Sequence, residues 1–296
     1  MGRISVIIVC HNRVAELRDC LGSVLRQTLT PDEIIVVDNS STDGTGALFA
    51  AGGEFVHPGV TYLRSETNLG VAGGRNLGIR RATGDLLLFI DDDAMLVPVD
   101  AIARVDRRFG EDGGIGVLAF KVIDHASRTI RRDEFPHADK ALDSDTEFET
   151  TYFIGAGHAI RKQVFALCGL YPDDYFYGME ELDLSFRALD RGFRIVFFPG
   201  AVVWHKRSPR GRVAHELKWV HCYRNRLAVA YKYLRPRHLV VTAIVWFAAA
   251  VRHTGSIAVP LKGLGAFLEF RKGLCRHSIS AGTIRRAALL GGRIWY

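Results

Sequence analysis

The stretch Gly84-Asp85-Leu86-Leu87-Leu88-Phe89-Ile90-Asp91-Asp92-Asp93 constrains this chain more than any other. Five apolar residues bounded by Gly and acid read as a strand buried on both faces. Three carboxylates follow without a break, and adjacent negative charges need compensation. A hard divalent cation, Mg²⁺ or Mn²⁺, suits carboxylate oxygens. Alternate residues of an extended segment let Asp91 and Asp93 point one way while Asp92 points another. A solvated acidic turn capping a helix would use the same residues. The rest of the chain has to decide between the two.

The surrounding segments alternate. Ile4 to Val9 is a β-branched run and reads as a buried strand. Val14, Leu17, Leu21, Val24 and Leu25 have helical spacing. A second strand covers Glu33 to Val37 and ends at Asp38, a third covers Val60–Leu63, and Val71–Ala82 reads as helix. This alternation predicts right-handed βαβ units and a mostly parallel sheet. Ligands of such sheets sit at the carboxyl ends of the strands, where Asp38 and Asp91–Asp93 both fall. A dinucleotide site is excluded: the first strand runs into Cys10-His11-Asn12-Arg13 with no GxGxxG, and there is no Walker A sequence. The stretch from Asn68 to Gly78 carries glycines at 70, 73, 74 and 78 within and ahead of the helix. Arg75 in it suits a phosphate, or the surface of a tightly packed helix.

Further along, Pro98–Phe109 reads as helix and Ile115–Phe120 as strand. Arg131–Glu149 is charged and irregular, the pattern of a mobile loop. Tyr152–Gly157 reads as a strand running into small residues, a floor for a flat ligand or sugar ring. In Tyr175 to Arg187, aromatics precede Glu180, Glu181 and Asp183. That is either a well-capped helix start or a general base beside an aromatic surface. Gly192–Phe198 is another strand. His205 ends an apolar run ahead of two cations, which suits a position facing a metal or a pyrophosphate.

From about Ala214 the texture becomes that of amphipathic basic helices, with Leu217, Val220, Tyr223 and Leu227 among His, Arg and Lys. Two or three further helical segments follow, carrying Trp246, Phe247, Phe267, Phe270 and many Arg. Two roles stay open for them: packing on the sheet domain or on a second subunit, which leaves a homodimer open, or contact with an anionic membrane. Leu239–Val251 is thirteen residues long, short of the roughly 20 that span a bilayer. At 296 residues the chain can bury one large domain or two smaller ones. The net charge of +7 predicts an anionic partner. Five scattered Cys with no CxxC predict reduced thiols in the cytoplasm, without a disulfide framework or a zinc site.

Five or six of these stretches, in order, resemble the family 2 glycosyltransferases of the GT-A fold. They are Val6 to Arg13, Val37 to Thr45, Asn68-Leu69-Gly70 through Arg75-Asn76, Phe89 to Asp93, Glu180 to Leu184, and His205. The resemblance covers residues 3–230 and is nearest to rhamnosyltransferase-like members. It implies an α/β GT-A domain at 1–212, with a nucleotide-binding half at 1–95 and an acceptor-binding half at 96–212. A helical, basic extension at 213–296 follows.

By position, the resemblance implies that Asp38 accepts a hydrogen bond from uracil or thymine, with Arg75 near the base or the diphosphate. His11, Asn12, Arg13, Asn68 and Gly70 complete the donor site, and Asp91-Asp92-Asp93 matches the DxD motif. Asp93 would hold Mn²⁺ or Mg²⁺, with Asp91 or Asp92 on the ribose or a metal-bound water and His205 on the metal or pyrophosphate. Glu181 falls where the family has the Asp of a Glu-Asp pair, the catalytic base; Glu180 and Asp183 are the alternates. Gly155, Ala156 and Tyr177 would face the acceptor. The activity implied is metal-dependent, inverting transfer of a sugar from a UDP- or dTDP-sugar to a hydroxyl of a glycan, a lipid-linked glycan or a small natural product. The expected location is the cytoplasm or the inner face of its membrane.

Two readings compete. A nucleotidyltransferase making a nucleotide sugar would need a basic, Gly-rich loop after the first strand, and His11-Asn12-Arg13 is not one. A non-catalytic basic binder of membrane or nucleic acid leaves the acids at strand ends unexplained. Without metal they would repel phosphate, so no nucleic-acid partner is expected.

Overall fold

The computed structural model describes residues 2–292, 294 and 295. Strand β1 (Ile4–Cys10) lies at the centre of the amino-terminal half, with β2 (Glu33–Asp38) on one side and β4 (Leu86–Asp91) on the other, both parallel to it. β3 (Val60–Arg64) extends this parallel half beyond β2. Because Cα partners pair Cys10 with Asp38 and Val9 with Asp91, the carboxyl ends of all three strands come level. β1 sits where the strand order reverses, and that is where an open α/β sheet leaves a crevice.

Alternation along β1 builds two cores. Val6 and Ile8 face α1 (Val14–Leu25) and α3 (Ala101–Glu111), meeting Leu17, Leu21, Ile102 and Phe109. Ile7 faces the other layer, made by α2 (Gly70–Arg81), α4 (Lys162–Cys168) and α5 (Glu180–Asp190). The glycines of α2 are there for contact. A Cβ on Gly74 would stand 2.6 Å from Val9 Cγ1, and one on Gly78 would stand 2.6 Å from Ile7 Cγ2.

Beyond β4 the sheet turns mixed. Its order is β3-β2-β1-β4-β8-β6-β9-β5, with β7 paired to β9. β5 is Ala94–Leu96, β6 Ile115–Asp124, β7 Phe148–Thr150, β8 Gly157–Arg161 and β9 Arg194–His205. β6 and β9 are parallel, whereas β5, β7 and β8 pair antiparallel with their neighbours.

Three local expectations need correction. The strand expected at Tyr152–Gly157 starts only at Gly157, because the carbonyls of Gly155 and Ala156 are used by the Arg75 side chain and the Asp91 N–H. The strand expected to end at Phe198 continues through Pro199-Gly200 to His205. A register shift opposite Phe120 and Lys121 absorbs the extra residues as a bulge. The stretch expected to be a mobile loop includes β7 and buries Glu134 and Phe135 beneath the sheet's edge.

Helices α6 (His215–Tyr233), α7 (Pro236–Thr254), α8 (Ala258–Phe270) and α9 (Ala281–Leu289) close the carboxyl-terminal side. Tyr223, Leu227 and Tyr233 of α6 share a third core with Tyr175, Leu182 and Phe186 of the α5 region and Phe267 of α8. Among the described residues no helix is long and apolar enough to cross a membrane.

Candidate active site

The crevice at the carboxyl end of β1 and β4 is a cleft of about 270 Å³. Its floor is Asp91, Asp92 and Asp93, and its walls include His11, Arg13, Asn39, Asn68, Gly70, Tyr177, Arg207, Arg212 and Lys218. The site is therefore acidic at the bottom and basic around the rim. That arrangement fits a divalent cation at the bottom and an anion at the rim.

One oxygen each from Asp91 and Asp93 and one ring nitrogen of His205 lie within 4.8 Å of one another. Two hard carboxylate oxygens and an imidazole form a donor set that suits Mn²⁺ or Mg²⁺. His205 Nε2 is 3.2 Å from Asp93 Oδ1, and its Nδ1 is 2.6 Å from Glu134 Oε1, so the ring is oriented from both sides. Burial would lower the His205 pKa, but its hydrogen bonds to Asp93 and Glu134 outweigh burial and push it up to about 10, so a cation binding there would displace that proton. Burial would raise Asp93; its hydrogen bond to His205 and the charges of His205, Arg13 and Arg212 bring it down to about 2. The backbone N–H of Ser208 donates to Asp93 Oδ2 at 2.8 Å.

Asp92 points away from this cluster; β4 ends at Asp91, and the turn that follows carries both Asp92 and Asp93. It accepts from Arg13 Nη1 at 2.6 Å and from the His11 N–H at 3.3 Å. Burial pushes it up to about 7 against the pull of Arg13. Asp92 thus fixes the arginine on the cleft wall and is not part of the cation cluster.

Arg75 is buried behind the cleft, not on it. Its Nη1 donates to Glu181 Oε1 at 2.8 Å, and its Nη2 donates to Asp91 Oδ1 and the Gly155 carbonyl, both at 3.1 Å. Glu180 Oε1 lies 3.6 Å from Nη1. One guanidinium therefore joins the floor of the cleft to the acids opening α5, and the expectation of a base or diphosphate contact at Arg75 is corrected. Four further expectations change for similar reasons. Asp38 is fully buried and accepts from Ser41 N–H, Tyr62 Oη and Arg64 Nη1, so Asn39 and not Asp38 borders the cleft. Asn12 turns to the next loop, where its Oδ1 accepts from Thr42 N–H at 2.7 Å. Gly155 packs against the Glu181 carboxylate and Ala156 is buried, so neither forms an open floor. Asp183 accepts from Tyr175, Arg187, Lys232 and Tyr233 with no exposure, which makes it a structural hub tying α5 to α6.

Glu180 and Glu181 differ in their surroundings. Glu180 is 3% exposed, and its Oε2 has no partner among the described residues. Burial, then the charge on Glu181, pushes it well above the ordinary carboxylate range. Glu181 keeps 17% of its side chain exposed, and Arg75 holds it by one oxygen.

The turn ahead of these acids is strained: Phe176 and Met179 both have positive φ, at 47° and 74°. It is held from α6. The Asn225 amide donates to the carbonyls of Tyr175 (2.9 Å), Tyr177 (3.0 Å) and Gly178 (2.8 Å). The Phe176 carbonyl accepts from Val71 N–H at 2.9 Å and crowds Gly70, whose φ of +72° only Gly adopts freely there. Asn225→Ala leaves buried carbonyls unpaired, at about 1–3 kcal/mol. Urea unfolding should show a loss of about 2 kcal/mol together with weaker turnover. A loss below about 0.5 kcal/mol, the level of ordinary surface substitutions, would mean that the turn is held by other contacts.

Sequence reasoning missed Asn39, Glu134, Arg207, Arg212 and Lys218. Glu134 lies in the stretch taken as a mobile loop, and Lys218 lies beyond the expected end of the sheet domain at residue 212. The run Lys206-Arg207 was the available signal for the basic rim.

Residues 5–168 match the sequence profile of Glycosyl transferase family 2. An uncharacterised protein of Haemophilus influenzae is 32% identical over 182 residues, which is 57% of this chain and 92% of that protein. The chain spans 31%, 38% and 52% of the length of three further curated relatives. Among solved structures, a mannosyltransferase of Pyrobaculum calidifontis in complex with GDP-Man and Mn²⁺ has a TM-score of 0.59 at 20% identity. The match covers 97% of this chain and 80% of that one. GalNAc-T7 with UDP, GalNAc and Mn²⁺ has a TM-score of 0.66 at 17% identity, over 93% and 56%.

Proposed function

The chain belongs to glycosyl transferase family 2, and from that premise we propose metal-dependent, inverting transfer of a sugar from a nucleoside-diphosphate sugar to an acceptor hydroxyl. The observation that carries this reading is the Asp91–Asp93–His205 cluster beneath a rim of Arg13, Arg207, Arg212 and Lys218. The Mn²⁺ and nucleotide or nucleotide-sugar ligands of the structural neighbours support it. The acceptor class is a hydroxyl of a glycan, a lipid-linked glycan or a small natural product.

In this reading Asp91, Asp93 and His205 would hold the cation, which would supply positive charge to the departing diphosphate. The rim cations receive the phosphate oxygens, and His11, Asn39 and Asn68 border the nucleoside end. Tyr177 forms the acceptor-side wall. The acceptor oxygen bonds to the anomeric carbon from the face opposite the leaving diphosphate, the carbon–oxygen bond to phosphate breaks, and Glu181 takes the hydroxyl proton. A single displacement inverts the centre.

The test is thermal unfolding with UDP, dTDP and GDP, with and without Mn²⁺. A ligand at 100 times its Kd stabilises by about 2.7 kcal/mol. UDP or dTDP is the expected nucleotide, and its effect should need Mn²⁺. Asp93→Asn should lose the Mn²⁺-dependent part of the shift. Failure of all three nucleotides to stabilise with Mn²⁺ present would sink the proposal.

A further inference from the structure

We propose that the outward face of the α7–α8 hairpin is a docking surface for an anionic lipid bilayer. Gly255, at φ +68°, ends α7 and sends the chain back along α8. Both helices pack one side on α6: Tyr223 Oη donates to the Ala243 carbonyl at 3.0 Å, and the Phe267 ring lies 6.1 Å from that of Tyr231. Among the described residues nothing covers the following side chains on the opposite side. Val240 is 58% exposed, Ile244 65%, Ile257 63%, Leu261 53% and Leu268 43%. Val240 and Ile244 stand four residues apart on α7, and Ile257 at the cap of α8, Leu261 and Leu268 stand four and seven apart, so each helix carries one stripe. Scattered surface Leu is ordinary. Here, among the described residues, six of the fifteen exposed large apolar side chains fall between Pro236 and Phe270. A grouped apolar surface marks an interaction site.

Charge selects the partner. Residues 213–296 contain 14 Lys and Arg against 2 Asp and Glu, a balance of +12 in a chain of net charge +7. Residues 1–212 are therefore acidic, at −5. Arg237 and Arg252 flank the stripe on α7, and Lys262 follows Leu261 beside the stripe on α8. The only acid from 236 to 272 is Glu269, which pairs with Lys272 at 2.6 Å. A second copy of this face would bring the same positive charge and be repelled. An anionic bilayer supplies opposite charge and an apolar layer for shallow insertion. The stripe also continues to the cleft. In the first turns of α6, Leu217 is 47% exposed, Lys218 lines the cleft, and Trp219 stacks on His253 of α7 with centroids 4.7 Å apart.

The experiment is co-sedimentation of the full chain with phosphatidylcholine vesicles, alone or with phosphatidylglycerol added. The protein should sediment with the anionic vesicles only, and less as salt rises. Ile244→Glu and Leu261→Glu should each weaken binding by about tenfold, and Arg252→Glu/Lys262→Glu should remove the preference for anionic lipid. All variants should keep the wild-type melting temperature and nucleotide-dependent stabilisation. Equal sedimentation with both vesicles, none with either, or unchanged binding by both Glu variants would overturn the proposal. So would a wild-type dimer in light scattering that Ile244→Glu makes monomeric. This surface does not rest on the transferase reading: vesicle binding without nucleotide stabilisation would fail that reading alone.

Discussion

Arg75→Ala is expected to melt on the order of 10 °C below the wild type. The side chain is 4% exposed and holds Asp91 at 3.1 Å and Glu181 at 2.8 Å, with Glu180 at 3.6 Å. Removing the cation leaves Glu180 buried and Glu181 largely so, with no countercharge between them. Breaking one side of a buried pair costs about 3–5 kcal/mol, and a chain of this size shifts by about 2–4 °C per kcal/mol. Without Arg75 the buried Glu180 takes up a proton more readily in the folded state than in the unfolded chain. The stability it retains is then present at low pH and lost as pH rises, so the deficit should narrow towards about pH 5. Arg75→Lys restores a charge but not the fork that reaches two carboxylates and a carbonyl, and should recover only part of the loss. Scanning calorimetry decides. A midpoint within about 2 °C of the wild type, under 1 kcal/mol, would show that the acids do not depend on this cation.

The second large effect is kinetic. Glu181→Gln should retain nucleotide-dependent stabilisation and lose transfer by about 10²–10⁴-fold, the usual worth of a general base. Glu180→Gln should cost less than about tenfold, because glutamine resembles the neutral acid that burial favours there. Stability gives the complementary sign. The folded Glu180 pKa lies above its ordinary value of 4.5. Its favourable contribution is therefore full below that value and lost as pH rises. Glu180→Gln should gain on the wild type with increasing pH. A larger kinetic loss at Glu180→Gln than at Glu181→Gln would move the base to Glu180.

The two predictions concern residues that the sequence named but described incompletely. Glu180 and Glu181 are chemically alike in a linear reading. What separates them is that one side chain is shut behind Arg75 while the other keeps a share of solvent. Arg75 itself read as a phosphate contact because an arginine beside glycines resembles an anion site. Those glycines instead let α2 lie against Val9 and Ile7, which turns the guanidinium inward. Asp38 reads as a cleft residue in the sequence because it ends a strand. Its neighbour Asn39 has that position, since Tyr62 and Arg64 of the adjacent strand occupy the Asp38 carboxylate.

The sequence by itself determined the parallel half of the sheet, the acidic tip of β4 and the gathering of Asp91, Asp93 and His205. These follow from local periodicity and from motifs whose order along the chain resembles one family. Tertiary structure alone decided what lies beside each charge. Glu134 reaches His205, Asn225 grips the turn before α5, Lys218 enters the cleft wall and Asp183 is taken up by Lys232 and Tyr233. Each of these pairings joins residues 47 to 71 positions apart or brings a helix across the sheet's edge. Hydrogen bonding and desolvation act through space, so the side chains that set a carboxylate's charge are fixed only when the helices have packed.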